Sequence, residues 1–274
     1  MGENRLASSA AVLKHVPQAA RRKSPIDVSM ILGIAIALAA IAGGLLATGV
    51  RLTYFFQPTG ASIVLGGTLG VIFITTPRTN LVFSARRIVE LLRCPEADRG
   101  ALIEELMQYV KTARAKGMLR IEPMIERASD PFLKESLLLC LDADDKSELR
   151  GVLETKTRLR ERQGETDAKV LEVAGGFAPT IGVLGTVVGL IDVLRNFSDV
   201  GSVAGGIGAA FVSTIYGLGL ANIVLLPAAH RIRARAAEMF ETHEMITEAV
   251  VCMAEGMHPA MVRERLAAFL REEK

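Results

Sequence analysis

The residues of this 274-residue chain best suited to chemistry are hydroxyls and carbonyls set inside stretches apolar enough to lie in lipid. Ala174 to Leu194 reads AGGFAPTIGVLGTVVGLIDVL. Pro179 has no amide hydrogen, so within a helix it frees the carbonyl of Gly175, which predicts a bend. Gly182, Gly185 and Gly189 recur at helical spacing and thin one face, so that a second helix can pack closely there. Thr186 puts a hydroxyl beside that face. Val203 to Ala229, VAGGIGAAFVSTIYGLGLANIVLLPAA, repeats the ingredients with Gly205, Gly208, Gly217 and Gly219, the hydroxyls Ser213, Thr214 and Tyr216, and Pro227. Ordinary helix packing would account for the glycines and prolines taken alone. Together with the hydroxyls they suit a helix pair that packs tightly, bends and lines a polar path.

Four apolar stretches can position these groups, each long enough to cross about 30 Å of hydrocarbon as a helix. They run from about Val28 to Val50, Thr59 to Pro77, Val173 to Ile191 and Val203 to Ala229, and none contains Lys, Arg, Asp, Glu or His. The fold class expected is an all-α polytopic membrane protein. The net charge of +2 says little, because the charge is segregated into the amino-terminal tail, the middle segment and the carboxy-terminal segment. Cys94, Cys140 and Cys252 are far apart and odd in number, which argues against a disulfide framework and a zinc site. No metal or cofactor is expected, and no nucleic-acid partner. H-E-x-x-H, G-x-S-x-G and paired intramembrane acids are absent, and His15, His230, His243 and His258 all lie outside the spans, so the chain does not read as an enzyme.

Residues 1–27 form a basic tail with Arg5, Lys14, Arg21, Arg22 and Lys23. The apolar run after it is longer than the core of a cleaved signal, so it reads as a span, and the positive-inside rule puts the tail in the cytoplasm. Residues 28–77 hold the first two spans, joined by RLTYFFQPTG, whose Tyr54, Phe55 and Phe56 suit the outer headgroup level. Residues 78–169 read as amphipathic cytoplasmic helices. One runs over Leu81–Arg93. Another starts at an Asp98 cap and stops at Gly117. A third begins at Asp130-Pro131, and a long charged helix from Ser147 runs on into the third span. Residues 170–229 form an antiparallel hairpin of spans three and four, closed by RNFSDVGS. Arg231, Arg233 and Arg235 hold its end inside, and 230–274 form two cytoplasmic helices broken at Gly256 to Pro259. Both termini are thus expected in the cytoplasm of a multi-pass membrane protein.

YVKTARAKGMLRIE (Tyr109 to Glu122), AGGFAPTIGVLGTVVGLIDVL and AAFVSTIYGLGLANIVLLPAAHRIR together resemble MotA-type flagellar stator subunits, including the sodium-driven PomA branch of the wider MotA/TolQ/ExbB family. The likeness covers nearly everything from Asp27 to Lys274 and leaves out the basic tail. It implies a homo-oligomer, a pentamer, around a pair of MotB-type subunits. Those subunits supply the aspartate that binds the moving H+ or Na+. By this resemblance Arg114, Glu122 and, with less support, Lys116 match positions that contact the rotor's switch protein. Pro179 and Pro227 match prolines that couple ion binding to cytoplasmic movement. Thr186 and Thr214 match hydroxyl positions near the partner's aspartate. Asp192 and Arg195 depart from the pattern and receive no role in the ion path.

The residues agree independently with that division of labour. Ion movement through a bilayer calls for an ionisable or strongly coordinating group at depth. These spans offer hydroxyls, the Asn222 amide and proline-freed carbonyls, so either the chain conducts nothing or another polypeptide contributes the carboxylate. The alternative is an energiser of outer-membrane processes of the ExbB/TolQ type, which has three spans and an outer amino terminus. A non-conducting scaffold is a further alternative.

Overall fold

The computed structural model describes residues 28–49, 52–77, 81, 98–143, 145–195 and 200–271. The tail over 1–27, all but the first residue of the helix expected over Leu81–Arg93, Cys94 and the tip of the connection at 196–199 lie outside them. Every regular element among the described residues is helical: α1 (Val28–Ala47), α2 (Pro58–Thr75), α3 (Arg99–Lys116), α4 (Glu122–Ile125), α5 (Pro131–Asp142), α6 (Lys146–Arg195), α7 (Val200–Gly219), α8 (Leu226–Ala254) and α9 (Pro259–Arg271). Short 3-10 turns occupy Leu52–Phe55 and Met118–Arg120, and a π-helical segment, Leu220–Leu225, joins α7 to α8.

The polar helices begin and end where local chemistry directs. The Asp98 side chain accepts the Ala101 amide at 3.0 Å and opens α3. Gly117 closes it at φ +88°, a conformation that glycine alone takes without strain, with its amide on Ala113 O at 2.9 Å. Asp130 Oδ1 accepts the amides of Phe132 and Leu133 at 2.7 and 3.0 Å, and Pro131 fills the first turn of α5.

The chain divides into two compact units, one drawing on residues 98–158 and 240–271, the other on 28–81 and 159–239. The first is a conventional water-facing bundle. Leu106, Phe132, Leu133, Leu137 and Leu153 are buried against Met245, Ile246 and Leu266, each worth about 1.5–3 kcal/mol by burial. Arg263 grips both oxygens of Glu104 at 2.7 and 3.0 Å, tying α9 to α3, and buried Arg99 pairs with Glu241 at 2.6 Å.

The second unit has the opposite surface. Ile36, Phe73, Ile74, Val187 and Leu194 point outward although they are large and apolar, as suits helices surrounded by lipid or by other apolar helices. Among the described residues three helices are long and apolar enough to cross a membrane, Pro58–Thr75 and segments of Lys146–Arg195 and Gly205–Ala254, while Ile31–Ala47 is a shorter apolar helix. Two details depart from the sequence reading. The first of the two helices expected over 230–274 is continuous with the end of the fourth apolar stretch, because Arg231, Arg233 and Arg235 carry no helix-breaking chemistry. The fourth stretch also contains the π segment, in which the Leu226 amide reaches back to Ala221 O.

Candidate functional site

In the apolar unit α6 and α7 cross where their side chains are smallest. A Cβ added to Gly182 would lie 2.9 Å from Ser213 O and 3.2 Å from the Cα atoms of Gly217 and Thr214. One on Gly217 would lie 2.5 Å from Ala178 O. Gly185 faces Ser213 and Gly189 faces Ala210 in the same row, each with a Cβ position 2.9 Å from its neighbour. The glycine row therefore sets the separation of the two helices, and that separation brings two hydroxyls together. Thr186 Oγ1 and Thr214 Oγ1 are 2.5 Å apart, and Thr186 also lies 2.9 Å from Ala210 O and 3.2 Å from Gly182 O. A hydroxyl has one proton. With Thr186 donating to Ala210, the shared bond runs from Thr214 to Thr186 and leaves the Thr214 oxygen as an acceptor.

The two prolines lie toward the other end of the same helix pair. Pro179 sits inside α6, half-buried, and Pro227 is exposed in the first turn of α8 directly after the π segment. Gly175, whose carbonyl Pro179 frees, packs on Leu225 and Leu226, next to Pro227. Beyond them Glu172 pairs with Arg233 at 2.5 Å and lies 3.5 Å from Lys169, and Gly164 packs against Ala236, so the two helices remain in contact past their apolar parts. Asn222 is exposed in the π segment and donates to Leu218 O at 3.0 Å.

Sequence reasoning missed one anchor of this unit. The Tyr216 hydroxyl donates to Phe55 O and accepts the Gln57 amide at 3.1 Å, which fixes the connection between α1 and α2 against α7. Gly60 meets Ser213 beside it. The sequence signal was a tyrosine in a largely apolar stretch, whose hydroxyl must find a partner when buried.

In the polar unit, Arg114, Lys116 and Glu122 are all exposed around the turn that joins α3 to α4. Arg114 Nη1 donates to Gly256 O at 2.7 Å, a contact the sequence did not suggest. Buried Cys140 and Cys252 are free thiols, and burial pushes both up to about 11, so they remain protonated near neutral pH.

Among the described residues no group of three or more His, Cys, Asp or Glu side chains could hold a metal ion. Residues 31–117 match the Motility protein A N-terminal family, and residues 124–245 match the MotA/TolQ/ExbB proton channel family, together more than half of the chain. The chain belongs to the MotA/TolQ/ExbB proton channel family. Within it the chain is of the MotA type and is a channel subunit of a motor, not an enzyme. Motility protein A of Bacillus subtilis is 27% identical over 249 residues, covering 89% of this chain and 91% of that protein. Chemotaxis protein PomA of Vibrio alginolyticus is 26% identical over 221 residues, covering 80% and 86%. The flagellar MotAB stator complex of Bacillus subtilis contains a chain of the same fold, with a TM-score of 0.80, 25% identity and coverage of 88% and 95%. The match to the motility-specific amino-terminal family favours the MotA branch over the ExbB/TolQ alternative.

Proposed function

We propose that this chain is the flagellar motor stator subunit that, with a MotB-type partner, conducts H+ or Na+ down its gradient and converts the flow into torque on the rotor. The observation that carries the reading is the Thr186–Thr214 hydroxyl pair, held at a glycine-thin crossing between two apolar stretches, 173–191 and 203–229, that contain no acid of their own. Such a wall can solvate and pass a cation but cannot trap it, so the site is complete only when a second chain adds a carboxylate. The assembly is a pentamer of this subunit around a MotB-type pair in the bacterial inner membrane, with four spans and both termini cytoplasmic.

An ion entering from outside neutralises the partner's aspartate beside Thr186 and Thr214. Neutralisation removes the cost of holding that charge against an apolar wall, and the ring advances one step about the pair. Release near Pro179 and Pro227 resets the site. A unit charge crossing 100 mV supplies about 2.3 kcal/mol, enough to break a few exposed ion pairs of about 0–1 kcal/mol each. The step carries Arg114, Lys116 and Glu122 past the rotor's switch protein.

The test is ion flux through the chain co-expressed with its MotB-type partner in vesicles. Flux that disappears when the partner's membrane aspartate becomes asparagine supports the reading. Flux that persists unchanged overturns it.

A further inference from the structure

Leu119 is 78% exposed, more than any other large apolar side chain of its unit among the described residues. It does not sit on a loose loop. Gly117 turns the chain at φ +88°, Arg120 N bonds Gly117 O at 3.1 Å, and Ile121 N bonds Met118 O at 3.1 Å. Met118 packs on the core, Ile121 is fully buried, and the buried Tyr109 hydroxyl donates to Met124 O at 3.1 Å just beyond. Single apolar side chains on a surface are ordinary, but this one is presented by a turn pinned on both sides. Arg114, Lys116, Arg120 and Glu122, all exposed, flank it in the chain. Arg114 is itself held, through its bond to Gly256 O, on the turn that Gly256 makes at φ +69° after α8.

An outward apolar residue within a rim of charges has the layout of a binding hot spot, in which a few desolvated side chains carry most of the affinity and the contacts around them exclude water. Exposed ion pairs alone contribute little and are screened by salt. We infer that Leu119 is the apolar anchor of the rotor-facing surface, entering a hollow on the rotor's switch protein that is flanked by charges of both signs. The inference rests on the rotor-contact reading above and adds a salt-insensitive component to it. Held in place before contact, the anchor and Arg114 lose little freedom when the surfaces meet, which suits a contact made and broken at each step.

The test is the affinity of the purified stator complex for the purified switch protein at low and high salt, with melting temperatures measured alongside. Leu119→Ala should weaken binding on the order of tenfold at both salt concentrations, with Leu119→Met close to the wild type and the melting temperature unchanged. Arg114→Glu should weaken binding mainly at low salt. Unchanged binding by Leu119→Ala, with Arg114→Glu impaired, overturns the anchor and leaves the rotor contact standing. A lowered melting temperature for Leu119→Ala assigns the residue to folding and also overturns the anchor. Wild-type binding that neither substitution alters overturns both readings.

Discussion

Thr186 and Thr214, 28 positions apart in the chain, share a hydrogen bond of 2.5 Å across the crossing of α6 and α7. Neither hydroxyl could reach the other if the glycine row did not let the backbones approach. Valine at either position keeps the shape and removes the donor and acceptor. Loss of about 0.5–1.5 kcal/mol at the site corresponds to a ~2- to 13-fold fall in ion flux. Thr186→Val and Thr214→Val should show that fall in vesicle flux, and Thr186→Ser should retain most of the wild-type rate.

Gly182 tests the crossing itself. Its Cβ position lies 2.9 Å from a backbone carbonyl and 3.2 Å from two Cα atoms, none of which can rotate aside. Gly182→Ala should cost about 1–3 kcal/mol by overpacking and lower the melting temperature of the purified complex. Gly151→Ala, with nothing within 4 Å of its Cβ position, should leave the melting temperature unchanged or raise it slightly.

Charge reversal at Arg114 and Glu122 together should abolish swimming while leaving membrane insertion and assembly with the partner intact. Motility-plate spreading and membrane fractionation read the two effects separately, and unaffected swimming would remove the rotor-contact role. The single Arg114→Glu change also breaks the bond to Gly256 O. It should therefore be the more severe of the two single reversals.

Glu248 gives the polar unit a pH dependence. Burial works to raise its carboxyl, but hydrogen bonds from Arg265, Cys252 and Arg150 outweigh this and hold it below its ordinary value of 4.5. The folded state then binds the proton less readily than the unfolded state. The stabilisation is complete above that ordinary value and is lost as pH falls through the lower folded value. Glu248→Gln should cost about 1.5–3 kcal/mol at neutral pH, as expected for hydrogen bonds to charged groups. Melting curves should show the difference from wild type shrinking in acid.

The polar helices were legible because their ends depend on neighbours in sequence. Asp98, Gly117 and Asp130-Pro131 each satisfy backbone groups within a few residues, so the side chain alone predicts the boundary. The glycines and threonines of the apolar stretches announced a close crossing for the same reason, since helical spacing sets their face. What remained hidden depends on pairs distant in the chain. No local pattern joins Tyr216 to Phe55 or Arg114 to Gly256. Tyr54, Phe55 and Phe56 read as headgroup-level aromatics, and nothing in that short run signals that its backbone is gripped by a tyrosine in α7. The arginine run after Ala229 suggested a boundary between helices, but it changes the preferred solvent and not the backbone, and α8 continues through it.

The π segment at Leu220–Leu225 amounts to one residue more than a regular helix would use over the same rise. Each residue turns a helix by about 100°. That single surplus position therefore sets the azimuth of Pro227 and of the arginines that follow it. A one-residue deletion within Leu220–Leu225 would restore uniform winding and swing those downstream side chains onto a different face, although every amino acid that bears a role would still be present.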